Sequence, residues 1–551
     1  MSGLADVNFH GRTRSLLEDA DFNQSPAFAD VDLAAIDAPL LDAGGGAGVD
    51  LNALSAFARD WGSAESFDLA REANENPPKL RTVDAKGHRL DRVEFHPAYH
   101  ALMAKSMNYG MHCSAFDGTG GDRAFTRRAA QFYLANQVEN GHFCPITMTH
   151  AAVGALRTEP RLLDAWLPKI AGRVYDPAQK PWWEKPTVTL GMGMTERQGG
   201  TDVRANITRA VPQGDHAEIV GHKWFMSAPM CDAFLVLAQA EGGLTCYLMP
   251  RFRPDGSANA IRFQRLKNKL GNHSNASSEV EFCGAYAQRV GPEGRGVPTI
   301  IEMVQLTRFD CIVGSAGEMR AGLAQAIHHM RHRSVFQKHL VDQPAMRTVI
   351  ADLALEMEAI VALFFGLARA FERGADRSDT SYARLIIPAA KYFVCKSAPP
   401  FVYEALECMG GNGYVEELPL ARLYREAPLN AIWEGSGNVM ALDVLRAIGR
   451  HPEEAMSVLD SFARATADVF QAQPLVNALT KLMRSGEAER RARYVCESLA
   501  HLAALAALCE AGSRFAPDYA RTRLDGQARG TWGVCDLRRS EAALIERAFA
   551  A

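Results

Sequence analysis

The hydrophobic positions change their spacing twice along this chain. In residues 64–186 they recur every three to four residues, and 123–141 is predicted to form one amphipathic helix. In residues 187–282 they alternate with polar residues or form short apolar runs, and beyond residue 297 the helical spacing returns. The pattern predicts an α+β chain, with helical regions on both sides of an antiparallel β domain.

The same spacing predicts the individual elements. Strands are expected at 217–220, 234–238, 244–249, 261–266 and 278–282, separated by turns rich in glycine and acidic residues. Long helices are expected at 298–331, 345–374 and 381–409, which is enough for an antiparallel bundle. Further helices are expected near the C-terminus at 453–471, 475–484 and 488–511.

Changes in composition divide the chain into five segments. The first is rich in Asp, Ala and Gly, and is predicted to pack on another surface or to stay partly mobile. Pro452 marks a helix-breaking linker before the last segment. The predicted segments are an N-terminal extension (1–60), an N-terminal helical domain (61–186), a central β domain (187–290), a C-terminal helical bundle (291–450) and an appended helical domain (451–551).

Composition and charge narrow the class of protein. With 551 residues and 47% hydrophobic content, the chain can bury several cores. A net charge of −4 argues against wholesale coating of nucleic acid but leaves room for a local basic face. Eleven cysteines without a Cys-x-x-Cys pair argue against a disulfide framework or a structural zinc site. We expect a reducing compartment.

The start of the chain and its apolar runs bear on location. Polar residues interrupt the first turns, so no secretory signal is predicted. No apolar run approaches the roughly 20 residues that span a bilayer. We therefore expect a cytoplasmic protein without a membrane partner.

Two segments carry the chemistry. Residues 191–203 follow a strand-like run, 187–190, and combine hydroxyl side chains with paired glycines, so that backbone amides can approach a ligand. Residues 431–438 place one carboxylate, Glu434, beside Trp433 and two glycines. Together they are typical of two walls of a flavin site with a carboxylate base between them.

Both segments resemble those of the acyl-CoA dehydrogenase family. Further matching motifs, in the family's order and spacing, lie at 221–227, 307–308, 333–336, 409–414 and 422–426. The resemblance covers roughly residues 95–450. The residues at 76–78, 144–149 and 432–438 are most similar to those of the AidB branch of the family. Members of that branch are flavoproteins of the adaptive response to DNA alkylation and have a DNA-binding domain appended at the C-terminus.

The resemblance implies the family's fold, bound FAD and a thioester substrate. A carboxylate must remove the weakly acidic α proton of an acyl-CoA, and Glu434 matches the family's base. In some relatives the base comes instead from the helix matched here by Thr307, which cannot accept a proton. The plain alternative for Glu434 is a carboxylate at the start of a helix near Asn438.

The remaining flavin contacts are also implied by the resemblance. Met192, Met194 and Thr195 match the isoalloxazine edge, Phe225 and Ser227 match residues over the ring and near N5, and Thr201 matches the ligand channel. Arg333 matches a residue that holds the FAD pyrophosphate together with a neighbouring subunit, which implies a homo-oligomer, usually a tetramer. The base segment supplies Ile432, Trp433, Gly435, Ser436, Gly437 and Asn438.

Arginines cluster near the C-terminus and could contact DNA phosphates. Such contacts strengthen DNA binding without depending on the base sequence. The predicted DNA-binding residues are Arg446, Arg484, Arg490, Arg491 and Arg493. An ordinary solvated helix face, with Glu487 and Glu489 as ion-pair partners, is the plain alternative. The histidine pair His328 and His332 has metal-ligand spacing but no third ligand, so packing is the better interpretation and no metal is predicted.

Three hypotheses remain open from the sequence. The first is an AidB-type flavoprotein that binds duplex DNA non-specifically and protects or processes alkylated DNA, with weak acyl-CoA dehydrogenase activity. The second is a metabolic acyl-CoA dehydrogenase or flavin oxidase whose C-terminal extension only aids oligomerisation. The third is a flavin-stabilised scaffold without catalysis.

Overall fold

The computed structural model describes residues 23–374, 376–483, 488–525 and 530–550. Arg484, one of the predicted DNA-binding residues, lies outside the described residues, as do residues 1–22 of the predicted extension.

The N-terminal part is helical except for one hairpin. Its helices are α1 (Ala38–Gly46), α2 (Leu51–Trp61), α3 (Ala64–Glu75), α4 (Pro97–Asn108), α5 (Ala124–Ala135), α6 (Phe143–Leu156) and α7 (Pro160–Ile170). Asp50 and Ser63 begin α2 and α3, because their side chains accept hydrogen bonds from first-turn amides. The hairpin β1 (Lys79–Val83) and β2 (Arg89–Glu94) was not predicted from the sequence.

Residues 23–60 are built into the core of the same chain. Leu33, Leu40 and Phe57 are buried in its main hydrophobic cluster. The buried carboxylate of Asp37 caps α1, accepts a hydrogen bond from the Tyr133 hydroxyl and pairs with Arg320 at 2.7 Å. The described part of the predicted extension is therefore not a separate layer, although the domain boundaries themselves stay a prediction.

The helix predicted at 123–141 ends early, at Ala135. The side-chain amide of Asn136 donates a hydrogen bond to the Phe132 backbone carbonyl at 2.8 Å. The buried Glu139 carboxylate accepts hydrogen bonds from the backbone amides of Gly141 and His142. Side chains that bond nearby backbone groups compete with the helix, and here they end it.

The central region forms a seven-stranded sheet that closes on itself. Its strands are β3 (Leu190–Gly193), β4 (Arg209–Gln213), β5 (His216–Ser227), β6 (Ala233–Ala240), β7 (Gly243–Pro250), β8 (Ile261–Leu266) and β9 (Ser277–Val290). Pairings β6–β4, β4–β5, β5–β9, β9–β7 and β7–β6 complete a circuit, with β3 beside β6 and β8 beside β9. All pairs are antiparallel except β3–β6 and β4–β6.

The predicted strands are confirmed, with two adjustments. Strand β8 has the bounds expected, whereas β5 and β9 run several residues further toward their C-terminal ends. The strand expected at 187–190 starts only at Leu190, because the amide and hydroxyl of Thr189 bond the buried Asp232 carboxylate instead of a neighbouring strand.

A helical bundle follows the sheet. Its helices are α8 (Gly296–His332), α9 (Pro344–Glu372), α10 (Arg377–Cys408), α11 (Gly411–Tyr414), α12 (Pro419–Glu426) and α13 (Gly437–Arg450). A short hairpin, β10 (Ser334–Val335) and β11 (Lys338–His339), joins α8 to α9. Single 3₁₀ turns occur at Gly121–Arg123, Trp182–Glu184, Val203–Ala205, Leu340–Asp342 and Leu429–Ala431.

The C-terminal region packs onto this bundle. It contains α14 (Pro452–Ala465), α15 (Ala472–Met483), α16 (Ala492–Glu510), α17 (Ala516–Tyr519), a π-helical turn (Ala520–Leu524) and α18 (Glu541–Ala548). Its buried side chains belong to the same hydrophobic cluster as those of α8, α9 and α10. Helix α16 is long and apolar enough to span a membrane, contrary to the sequence analysis, but most of it is buried against α9, α10 and α13.

A buried ion cluster ties the C-terminal region to α9. The Arg523 guanidinium pairs with Asp352 and with Glu356, each at 2.7 Å, and all three side chains are buried. Breaking such a pair from one side is costly, because the remaining charge is left without a partner in a medium of low polarity. Arg523 is therefore a structural residue that joins the C-terminal region to α9.

Replacing Arg523 with Met keeps the aliphatic stem and leaves two buried carboxylates unpaired. We expect the free energy of unfolding to fall by about 3–5 kcal/mol in urea denaturation. The matched change Arg538→Met removes an exposed guanidinium that pairs with Asp536 at the surface, where solvent screens the pair, so it should cost far less stability than Arg523→Met. Equal losses in the two variants would contradict the structural role of Arg523.

Candidate active site

The base loop, residues 430–436, connects the 3₁₀ turn Leu429–Ala431 to α13 and carries Glu434. Glu434 has a φ of 58°, a left-handed backbone conformation that costs a non-glycine residue about 1 kcal/mol. Gly435 follows with a φ of 108°, and a Cβ there would lie 2.5 Å from the Met440 terminal methyl. The sharp turn points the Glu434 side chain inward, and it requires glycine next to it.

The Glu434 carboxylate lies against α8. Its Oε2 accepts a hydrogen bond from the Thr307 hydroxyl at 2.8 Å. Burial raises the pKa of Glu434 above its ordinary value, while the Thr307 hydrogen bond and the charges of Arg308 and Lys391 act in the opposite direction. Thr307, which the sequence eliminated as a base, thus orients the base, a role that the pattern did not reveal.

Arg308 supports the loop from behind. Its Nε donates to the Glu434 carbonyl at 3.0 Å, and its Nη2 pairs with Asp443 on α13 at 2.7 Å. Asp443 also pairs with Arg446, one of the predicted DNA-binding residues. Arg446 is exposed, and its guanidinium is partly committed to this ion pair.

The loop after β3 is held by a buried ion pair between Glu196 Oε1 and Lys223 Nζ at 2.8 Å. The amide of Ile207 donates to Glu196 Oε2 at 2.7 Å, and the amide of Thr208 also bonds this carboxylate. Burial acts to raise the pKa of Glu196, but Lys223 and the donated hydrogen bonds outweigh it and lower the pKa to about 2. This anchor positions Met194 and Thr195 immediately before it.

Three elements converge on the Cys144 thiol of α6. Burial raises the pKa of the Cys144 thiol to about 12 and the charge of Glu434 acts in the same direction, whereas the side chains of Asn275 and Ser227 act to lower it. Ser227 also bonds the Ser277 hydroxyl at 3.2 Å. The predicted N5-side residue, Ser227, and the predicted base, Glu434, therefore both act on the same buried thiol.

The apolar walls of the site are partly open. Trp433 packs against the same hydrophobic cluster as Met192 and Met194. Phe225 is 51% exposed and Ile432 is 64% exposed, which is high for large apolar side chains. Thr195 and Ser227 contribute half-buried hydroxyls, so the predicted flavin residues combine apolar surface with polar groups, which suits a flat aromatic group with a polar edge.

The other predicted cofactor residues are spread more widely. Thr201 is exposed on the loop after β3. Arg333 donates to the Asn23 carbonyl at 2.6 Å, beside a hairpin whose tip residue Phe336 is 90% exposed. Ser436 and Gly437 start α13, and Tyr392 of α10 lies directly against Gly437.

Asn438 has a partner that the sequence analysis did not expect. Its Oδ1 accepts a hydrogen bond from Arg493 Nε at 2.8 Å, so an arginine assigned to DNA contacts a segment assigned to the flavin. Arg490 and Arg491 are exposed, and the Arg491 guanidinium stacks on the Tyr494 ring at 4.3 Å. Arg493 therefore differs from its two neighbours.

A cleft of about 850 Å³ is lined in part by α8 and α10, the two helices that also contact the base loop. It is bounded by Leu306, which precedes Thr307 on α8, and by Ile387, which lies one turn before Lys391 on α10. Its other apolar lining residues include Phe116, Phe125 and Phe371, and the arginines at its walls are Arg157, Arg295 and Arg384. This cleft is not visible in the sequence, because the residues that line it come from five separate stretches of the chain.

Comparison with known domain families covers most of the chain. Residues 23–177 match the adaptive response protein AidB N-terminal domain, 191–284 the acyl-CoA dehydrogenase middle domain and 294–449 the acyl-CoA dehydrogenase C-terminal domain. The putative acyl-CoA dehydrogenase AidB of Escherichia coli is 50% identical over 407 residues, which cover 74% of this chain and 75% of that protein. Acyl-CoA dehydrogenase family member 11 of Caenorhabditis elegans is 32% identical over 408 residues, or 70% of this chain and 64% of that protein.

Solved structures agree with this fold. The apo form of Bd2924 superposes with a TM-score of 0.81 at 26% identity, over 89% of this chain and 99% of that one. Caenorhabditis elegans ACDH-11, solved in complex with C11-CoA, has a TM-score of 0.79 at 24% identity, over 97% and 98% of the two chains. The second superposition covers nearly the whole chain and therefore includes the C-terminal region.

The fold and the site define an FAD-dependent oxidoreductase, and the chain belongs to the acyl-CoA dehydrogenase family. Within that family it is an AidB-like member. The exposed apolar side chains of Phe225 and Ile432 are consistent with FAD as the group that covers them.

Replacing Arg493 with Ala should weaken FAD binding, because Asn438 loses its hydrogen bond from α16. We expect an increase of about 2- to 10-fold in the dissociation constant, measured by flavin fluorescence, which is the usual net effect of one hydrogen bond. Arg490→Ala is the matched control, since Arg490 is exposed on the same stretch, and it should retain FAD like the wild type. Identical retention by both variants would remove Arg493 from the cofactor site.

Proposed function

We propose that the protein dehydrogenates an acyl-CoA thioester, with Glu434 as the base that removes the α proton. The observation that carries this proposal is the Glu434 carboxylate itself, which is partly buried, has its pKa raised by that burial and is oriented by the Thr307 hydroxyl. A base works best when its pKa approaches the working pH, and burial acts in that direction. Bound FAD supplies the hydride acceptor.

The two carboxylate oxygens of Glu434 have different surroundings. Oε2 is held by the Thr307 hydroxyl, while among the described residues Oε1 has no hydrogen-bond donor. We assign proton removal to Oε1. The Thr307 hydrogen bond fixes the plane of the carboxylate, so the base does not need to be oriented at the moment of reaction.

The cleft beside α8 and α10 is our candidate for the acyl-CoA site. Its aromatic and aliphatic lining suits an acyl or pantetheine chain, and Arg157, Arg295 and Arg384 suit its phosphates. The fold accommodates C11-CoA in Caenorhabditis elegans ACDH-11. Medium-length acyl chains are therefore the first substrates to test.

We also propose that the protein binds duplex DNA non-specifically and protects or processes alkylated DNA. The support is the similarity to E. coli AidB and to the adaptive response protein domain, together with the exposed Arg490 and Arg491. Arg493 and Arg446 already bond other groups of the chain, which makes them weaker candidates for phosphate contacts. The rival proposal, that the C-terminal region only aids oligomerisation, gains from the core that it shares with the bundle.

A cytoplasmic homotetramer is the assembly that we propose. Phe336 at the β10–β11 tip and Tyr414 at the end of α11 are 90% and 80% exposed, and both belong to motifs that the family uses at subunit contacts. The segment at residues 23–24 is hydrogen-bonded to both motifs. Asn23 bonds Ser334 of β10, and Gln24 bonds Asn412 of α11. Burial of these aromatic side chains by a second copy would account for their exposure in the single chain.

Replacing Glu434 with Gln should abolish acyl-CoA dehydrogenation, because the amide has nearly the same shape but cannot accept the proton. General-base catalysis contributes about 10²- to 10⁴-fold, so turnover should fall by at least that range while the flavin spectrum is retained. In the wild type, kcat/KM should fall at acid pH, because the Glu434 carboxylate must be ionised to act. The midpoint of this fall should lie above the ordinary pKa of a glutamate, because burial raises the pKa of Glu434. The matched control Glu281→Gln, on the exposed face of β9, should leave turnover unchanged. Wild-type turnover in the Glu434 variant would assign the base elsewhere.

Replacing Arg490 and Arg491 together with Ala should weaken binding to unrelated duplexes equally, because phosphate contacts carry no base information. The slope of log K against log salt should flatten by about 0.9 for each phosphate that an arginine no longer neutralises. Arg81→Ala, on the distant β1–β2 hairpin, is the matched control in the same mobility-shift titration. Undiminished binding by the double variant would assign DNA binding, if any, to another surface.

A further inference from the structure

Lys391 is a buried cation that the catalytic proposal does not use. It lies on α10 and is 1% exposed. Its Nζ donates to the Asn430 carbonyl at 2.8 Å and to the Gly435 carbonyl at 2.9 Å. The other buried lysines of the described chain, Lys185 and Lys223, each pair with a carboxylate at 2.7 and 2.8 Å, whereas Lys391 has carbonyl partners only.

The two carbonyls lie on either side of Glu434. Asn430 precedes it by four residues and Gly435 follows directly, so one ammonium group connects the two ends of the base loop. Asn430 is fixed further, because its side chain accepts from Trp433 Nε1 at 2.7 Å and donates to Ser315 on α8 at 3.1 Å. The left-handed conformation at Glu434 is thus maintained by contacts outside the loop.

A neutral side chain could provide hydrogen bonds to carbonyls, so the charge calls for its own explanation. Keeping an ammonium group buried is costly, and carbonyl dipoles repay that cost only in part. The field of Lys391 acts on Glu434 and favours its ionised form. The titratable and charged groups facing Glu434 are Arg308 and Cys311 on α8, Lys391 on α10 and Cys144 on α6.

We propose that Lys391 is a positioning residue with two separable roles: its hydrogen bonds to Asn430 and Gly435 close the base loop, and its charge keeps Glu434 ionised. Arg308 performs the first role for the Glu434 carbonyl but shares its charge with Asp443. Within the described part of the chain Lys391 pairs with no carboxylate, so its charge is not shared in the way that Arg308's is. The kinetic consequence rests on the proposed dehydrogenation, whereas the closure of the loop does not.

The first experiment measures the loop without turnover. Lys391→Met has nearly the same length but no donors, and hydrogen exchange by mass spectrometry reports the amides of residues 431–437. We expect exchange at least tenfold faster than in the wild type. Lys396→Met is the matched control on the same helix, since Lys396 is exposed, and it should not change exchange. Wild-type protection in Lys391→Met would overturn the tether.

The second experiment separates charge from hydrogen bonding. Lys391→Gln can still donate to both carbonyls but is neutral, so loop exchange should stay within about threefold of the wild type. In this variant the acid-side fall of kcat/KM should shift to a pH about 1 unit higher than in the wild type. A nearby positive charge lowers a carboxyl pKa by about that amount or more, and the variant has lost that charge. KM should change less than kcat, since Lys391 touches no substrate. An unshifted acid-side fall of kcat/KM with normal exchange would overturn the charge role.

Failure of the proposed function is distinguishable from failure of this inference. If the wild type oxidises no acyl-CoA, the exchange arm still decides whether Lys391 closes the loop. If Lys391→Met does not fold, faster exchange of residues 431–437 in folded Lys391→Ala, with Lys396→Ala as its control, supports the tether. Unchanged exchange in Lys391→Ala rejects it.

Discussion

The attachment of the base loop to two long helices is the constraint on which the site depends. A non-glycine residue with a left-handed backbone, Glu434, is held because Arg308 of α8 and Lys391 of α10 bind the carbonyls at and around it. The same two helices supply Thr307 to the carboxylate and Leu306 and Ile387 to the cleft. Base, loop and cleft are therefore positioned by one rigid pair of helices rather than by the loop itself.

The C-terminal region is joined to this unit more closely than an appended module would be. Arg523 places a buried guanidinium between two carboxylates of α9, and α16 packs against α10 and α13. Arg493 then links the start of α16 to Asn438, in the segment assigned to the flavin.

Most of the fold was predictable because its signals are local. Strand β8 was predicted at its observed bounds, and the long helices of the bundle were predicted to within a few residues, since apolar spacing depends only on nearby sequence. The hairpin β1–β2 was missed, because its strands are short, largely exposed and carry few apolar residues, so the alternation in their burial is not visible as an apolar pattern. The end of α5 was missed because buried side chains of Asn136 and Glu139, rather than a proline or glycine, terminate it.

By itself, the sequence determined the order of helical and β regions, the acyl-CoA dehydrogenase resemblance and the identity of Glu434 as the carboxylate between two glycine-containing segments. Only the tertiary structure decided which distant groups act on that carboxylate. Thr307 lies 127 residues from Glu434, and Arg493 lies 55 residues from Asn438. The tertiary structure also decided which C-terminal arginines are buried: the Arg523 side chain is buried, whereas Arg490 is exposed. The reason is physical: hydrophobic periodicity reports which face of an element is buried, whereas a buried charge is defined by its partner, and that partner is chosen by the packing of the whole chain.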